Sequence, residues 1–159
     1  MLRFVPKQIV AILRLSVKSI LLANVAKLRY NMNLWTLKGF TQDGKKTIVS
    51  AWYEDQTVAV QVAFETRLKF LASQPPQIWQ RPYVGKLRGK CKGLIEIRFE
   101  VDNVQHRPIG YFSGELEFTI LAFATERGSK FDPLEVCVTA KRRKALIEER
   151  KEHAREFNF

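Results

Sequence analysis

From Leu94 to Val101 the chain alternates apolar Ile95, Ile97, Phe99 and Val101 with polar Glu96, Arg98 and Glu100, the period of a strand with one face buried. Asp102-Asn103 follows, and both residue types tolerate the positive φ of a two-residue hairpin turn. A second strand, Val104 to Phe112, then returns. With a two-residue turn, Val101 pairs with Val104, Phe99 with His106, and Arg98 with Arg107. A third run, Leu116 to Ala124, carries Phe118, Ile120, Leu121 and Phe123 on both faces, the mark of a central strand covered from two sides.

Upstream, Leu34 to Phe40 reads as a strand running into the turn-forming Gln42-Asp43-Gly44, and Ile48 to Tyr53 as a short helix or irregular segment. Asp55 or Thr57 can cap a helix that runs to about Ser73. On it Val60, Phe64, Leu68 and Leu71 recur at helical spacing and form a core stripe. Gln74-Pro75-Pro76 ends this helix, and a long loop with Arg81-Pro82, Gly85, Gly89 and Gly93 leads to the hairpin. Downstream, Asp132-Pro133-Leu134-Glu135 predicts a helix start: Asp as cap, Pro at the first position, Glu three residues after the cap. That helix carries Lys141-Arg142-Arg143-Lys144 over a thin apolar stripe of Val136, Ala140 and Ile147.

At 159 residues the chain fits one domain with a sizeable core. Its net charge of +11 is the unusual feature and favours polyanionic partners. Two cysteines, Cys91 and Cys137, lie far apart in sequence and two histidines are too few for a zinc site. We therefore expect no disulfide framework, no bound metal and no cofactor, with a reducing cytoplasm as the default location.

Residues 1–31 hold six basic residues and no acidic one, and so supply +6 of the +11. Their apolar runs are far shorter than the roughly 18 residues a spanning helix needs, so no stable membrane insertion is expected. A targeting peptide, a membrane-surface helix and an unstructured extension all fit this basic amphipathic stretch. So does translated sequence upstream of a true start at Met32. Residues 32–159 read as a single domain.

Two features carry candidate chemistry. Like charges opposite one another on a sheet face are destabilising, so Arg98 and Arg107 need acidic neighbours or an anion; Glu96 and Glu100, on the same face, are the acidic candidates. The second feature is Arg81, Lys86, Arg88, Lys90 and Lys92, interleaved with Trp79 and Tyr83. Cations for phosphates and aromatic faces for unpaired bases suit RNA binding.

Several local patterns then resemble one family. Trp79-x-Arg81-Pro82, Leu87-x-Gly89, Gly93-Leu94-x-Glu96-Ile97-Arg98-Phe99, His106-Arg107-Pro108-Ile109-Gly110-Tyr111-Phe112 and Phe118-x-Ile120-Leu121-x-Phe123 are similar to the RelE/ParE superfamily of type II toxin–antitoxin toxins. The resemblance is strongest to its HigB-like, phage-derived branch and covers roughly Met32 to Ile147. It implies an α+β fold in which a small antiparallel sheet of about four strands packs against an N-terminal helical hairpin, with a C-terminal helix. It also implies a cytoplasmic, RNA-binding hydrolase: a metal-independent, ribosome-dependent mRNA endoribonuclease, held in check by a cognate antitoxin protein. The alternative within the superfamily is a ParE-like inhibitor of a protein target such as DNA gyrase, or an inactive phage-derived remnant.

Cleavage through the RNA 2′-OH needs a base, positive charge for the phosphorane and an acid for the leaving oxygen. By the resemblance, Arg98 and Arg107 hold the scissile phosphate, while Arg127 and Lys130, in the loop after the last strand, are catalytic or phosphate-binding. Lys86 and Arg88 match the family's basic loop. Tyr111, His106 and Glu126 are the proton carriers nearby, and on the predicted pairing His106 faces Phe99 and packs. The chain departs from the branch at Thr125–Pro133, which holds fewer lysines and an acidic residue beside the phosphate site.

Overall fold

The chain divides into two units, Met1–Met32 and Asn33–Phe159, and a computed structural model describes residues 33–158. The readings made for residues 1–31 fall outside the described residues. The elements are β1 (Thr36–Phe40), α1 (Ile48–Glu54), α2 (Val58–Ser73), β2 (Val84–Lys86), β3 (Ile95–Ile97), β4 (Phe99–Val101), β5 (Val104–Gly114), β6 (Glu117–Arg127), β7 (Lys130–Asp132), α3 (Val136–Glu149) and β8 (Ala154–Glu156), with short 3₁₀ turns between.

The eight strands form one mixed sheet in the order β2-β3-β5-β6-β1-β8, with β4 also on β5 and β7 also on β6. β1 runs parallel to β6, whereas the hairpin strands β4, β5, β6 and β7 pair antiparallel. This overturns the expected small antiparallel sheet of about four strands against an N-terminal helical hairpin. β2, β7 and β8 are three residues each, too short for alternation to show in sequence. The parallel pairing of β1 with a strand some eighty residues away leaves no local signal at all.

The β4–β5 hairpin follows the predicted register, with Val101 opposite Val104 and Phe99 opposite His106. Asp102 and Asn103 take φ of 51° and 62°, as a type I′ turn requires. The predicted strand 94–101 is split at Arg98, although Glu96↔Ile109 and Phe99↔His106 belong to one register. Pro108, near the break, has no N–H to give the ladder. β6 is the central strand, flanked by β5 on one side and by β1 on the other.

Both sheet faces are covered. Val49 of α1 and Val60, Phe64, Leu68 and Leu71 of α2 pack with Ile95, Ile97, Phe99, Phe118 and Ile120. On the opposite face Val136, Cys137, Ala140 and Ile147 of α3 pack with Leu94, Ile109, Tyr111 and Leu121. Each fully buried Phe or Leu contributes about 1.5–3 kcal/mol. Thr57 caps α2, its side chain accepting from Val60 N. The predicted cap at Asp132 is corrected: Asp132 belongs to β7 opposite Thr125, and α3 begins at Val136 behind Glu135 with no side-chain cap bond. Ladder pairing claims the Asp132 backbone before it can open a helix.

Candidate nucleic-acid interface

Arg98 and Arg107 are brought together, as predicted, but in a closed ion-pair network. Glu96, 3% exposed, accepts from Arg98 Nε at 2.6 Å and lies 3.6 Å from Arg107 Nε. Arg107 spends its remaining donors on Glu126 (Nε 2.9 Å, Nη2 2.7 Å), the His106 carbonyl (2.9 Å) and Gln105 Oε1 (3.0 Å). Gly85 makes room for this: a Cβ there would stand 2.8 Å from Glu96 Oε1. The second acid is Glu126 and not Glu100, which instead accepts from Gln105. Two arginines meet two carboxylates, so of the two expected alternatives, acidic neighbours or an anion, the fold supplies the acidic neighbours.

The remaining predicted catalytic residues do not converge on that network. Tyr111 is buried beneath α3, with Lys144 Nζ 5.1 Å from its ring centroid. Burial, then Glu148 and Glu117, push its phenol pKa up, so it holds its proton at neutral pH. His106 stacks on Phe99 at 4.9 Å between centroids, and burial, then Arg107, push its pKa down. Arg127 and Lys130 do not sit in a loop. They are opposed across the β6–β7 hairpin, both exposed, and by strand alternation on the sheet face opposite Glu126. Of the three candidate proton carriers, Glu126 keeps an oxygen available: Arg107 holds Oε2, and Oε1 has no bond to any described residue.

Arg81, Lys86, Arg88, Lys90 and Lys92 are all exposed, and none forms an ion pair with a described residue. Their predicted aromatic companions are differently employed. Trp79 is 6% exposed, stacks against Trp35 at 4.2 Å and donates its Nε1–H to the Leu71 carbonyl. Tyr83 is half-buried beneath the Arg67 guanidinium. The aromatic face the sequence reading missed is Phe112, at 39% exposure. It lines a groove of ≈ 320 Å³ with Arg81 and Lys86. Phe112 ends the second predicted strand, but its neighbours across the groove come from β2, which the sequence hid.

Cys91 and Cys137, expected to be unpaired, form a disulfide with Cα atoms 5.2 Å apart. Their separation of 46 residues closes because α3 packs on the face where Leu87 and Cys91 point. The bridge ties the loop bearing Arg88, Lys90 and Lys92 to the first turn of α3, whose Lys141 and Arg142 are also exposed. Arg143 is not available there: it donates to the Leu121 carbonyl at 2.7 Å and lies over Phe40. With these cysteines joined, cysteine usage no longer points to a reducing compartment.

Among the described residues no helix is long and apolar enough to cross a membrane. No protein-family model, no curated protein and no solved structure matches this chain.

Proposed function

We propose that this chain acts on RNA, as the toxin component of a type II toxin–antitoxin system of the HigB-like RelE/ParE kind. Ribosome-bound messenger RNA is its target and a cognate antitoxin its restraint. The observation that carries the reading is the stretch Arg81–Lys92, with five exposed cations, no acidic residue and an exposed Phe112 ring beside it. Phosphates take the charge, and an unpaired base takes the ring at about 1–3 kcal/mol per stacked base. The sequence patterns quoted above support the same reading. If the RNA is cut, Glu126 Oε1 is the base for the 2′-OH, with Arg107 fixing the carboxylate. Arg127 and Lys130, on the opposite sheet face, add to the charge that holds the RNA and do not reach the phosphorane at Glu126.

One observation favours a second reading, a non-enzymatic inhibitor of a protein target: Arg98 and Arg107, the family-like phosphate holders, are neutralised by Glu96 and Glu126. Induced expression of the full chain in bacteria separates the two, with wild type beside Glu126→Gln and Arg127→Ala/Lys130→Ala and primer extension on cellular mRNA. Growth arrest with cleavage inside coding regions, suppressed by both variants at equal protein levels, is the expected result. Arrest without cleavage moves the assignment to the protein-target inhibitor, and folded protein without arrest overturns the toxin reading.

A further inference from the structure

The outward face of α2 is not finished by the rest of the described residues. Val58 and Val62, one turn apart, are 73% and 58% exposed. Below them Ala63, Thr66, Arg67, Phe70 and Tyr83 line an open groove of ≈ 420 Å³. Its floor is aromatic, with Phe70 and Tyr83 at 4.9 Å between centroids. Scattered apolar residues on a surface need no explanation, but a contiguous helix stripe running into a groove is the form a docking site takes.

Arg67 says what the occupant must bring. Its guanidinium lies 4.8 Å over the Tyr83 ring, and its Nε is buried with no acceptor. Burial works against its charge, and no described carboxylate compensates for it. Its neighbour Glu65 is already engaged by Tyr53 and by Lys69 at 2.9 Å. Residues 1–31 contain no acidic side chain, so they do not supply the carboxylate either. A guanidinium already partly stripped of water gains most from a charged acceptor at its outer edge.

We propose that this face docks an amphipathic helix of a partner protein, which lays apolar side chains over Val58, Val62 and Phe70 and brings a carboxylate to Arg67. The inference does not rest on the RNA reading, since it uses none of the cations assigned there.

The test is selection of a helix-biased random peptide library displayed on phage against the immobilised full chain. Enriched peptides are expected to share an apolar pair three or four residues apart and an Asp or Glu at a fixed offset. A synthetic peptide of that sequence, titrated by fluorescence anisotropy, should lose about tenfold or more in affinity on Arg67→Gln, the effect of one hydrogen bond to a charged group. Replacing the peptide's carboxylate by its amide should cost the same, and combining the two changes should cost little more than either alone. Val62→Asp, an exposed change that circular dichroism will show to be folded, should abolish binding. No enrichment overturns the proposal, and so does a selected peptide indifferent to Arg67→Gln and Val62→Asp. Self-association of the chain that Val62→Asp dissolves would give the face to a second copy and overturn it equally.

Discussion

Arg107 and Lys86 are cations on one sheet, yet one is sealed into a network and the other faces solvent alone. Arg107 lies on β5 between Glu96 and Glu126, contributed by strands on either side of it. Lys86 lies on β2, the edge strand, where the single neighbouring strand offers Ile95 opposite it. An interior strand can draw counter-charges from two sides, so its cations become part of the fold. An edge strand and its loop have one side open, so their cations stay available to a ligand. Which arginine is structural and which is functional follows from strand order more than from residue type.

Breaking the interior network has the largest expected effect. Arg107→Ala leaves Glu126 without its partner and Glu96 with Arg98 alone, and removing one partner of a buried pair costs about 3–5 kcal/mol. Urea denaturation of the full chain should show that loss, whereas Lys86→Ala stays within about 0.5 kcal/mol of wild type. Equal destabilisation by both would erase the distinction. The next effect lies in binding: Phe112→Ala should weaken single-stranded RNA by about 1–3 kcal/mol if its face stacks a base. Inorganic polyphosphate, which has no base, should bind both proteins alike. Phe112 also touches Trp35, Trp79 and Phe118, so thermal unfolding is needed to separate lost stacking from a loosened core.

The edge cations themselves are best counted by salt. Each phosphate neutralised on a single strand adds about 0.7 to the slope of log Kobs against log salt. Replacing Arg88, Lys90 and Lys92 together by Gln should therefore flatten the slope by about 2. Replacing Arg98, tied to Glu96 at 2.6 Å, should leave it unchanged. A slope that responds to Arg98 and ignores the loop would exchange the roles of the two regions.

Legibility in the sequence divides along the same line. The hairpin register was readable because Asp102-Asn103 dictates its turn and alternation fixes which residues face each other. Helix α2 was readable from Thr57 and a four-residue stripe. What could not be read was non-local pairing: β1 beside β6, three-residue strands at the rims, and Cys91 meeting Cys137 across the packing of α3. The candidate site suffered for that reason. Arg98 and Arg107 were found, and Glu96 named as a partner, but Glu126 arrives through β6 and took the place expected of Glu100. Trp79 looked like a stacking platform because spacing beside cations is visible in sequence and burial is not. Phe112, the exposed ring, becomes a neighbour of Lys86 only through β2.

The smallest expected effect concerns His106, which sits on the network's strand but faces the opposite side of it, against Phe99 and Trp52. Burial and then Arg107 lower its pKa in the fold from an ordinary 6.5. The unfolded chain therefore binds a proton that the folded chain refuses. Its contribution to stability is complete above the unfolded pKa and is lost as pH falls from about 6.5 toward the lowered folded value. Denaturation midpoints measured from pH 7.5 to 5.5 should drift downward, and His106→Phe, which keeps an aromatic ring against Phe99, should flatten the drift. A drift of the same size in His106→Phe would mean that the packed imidazole does not carry it, and the division between a sealed interior and a responsive edge would have to be drawn elsewhere.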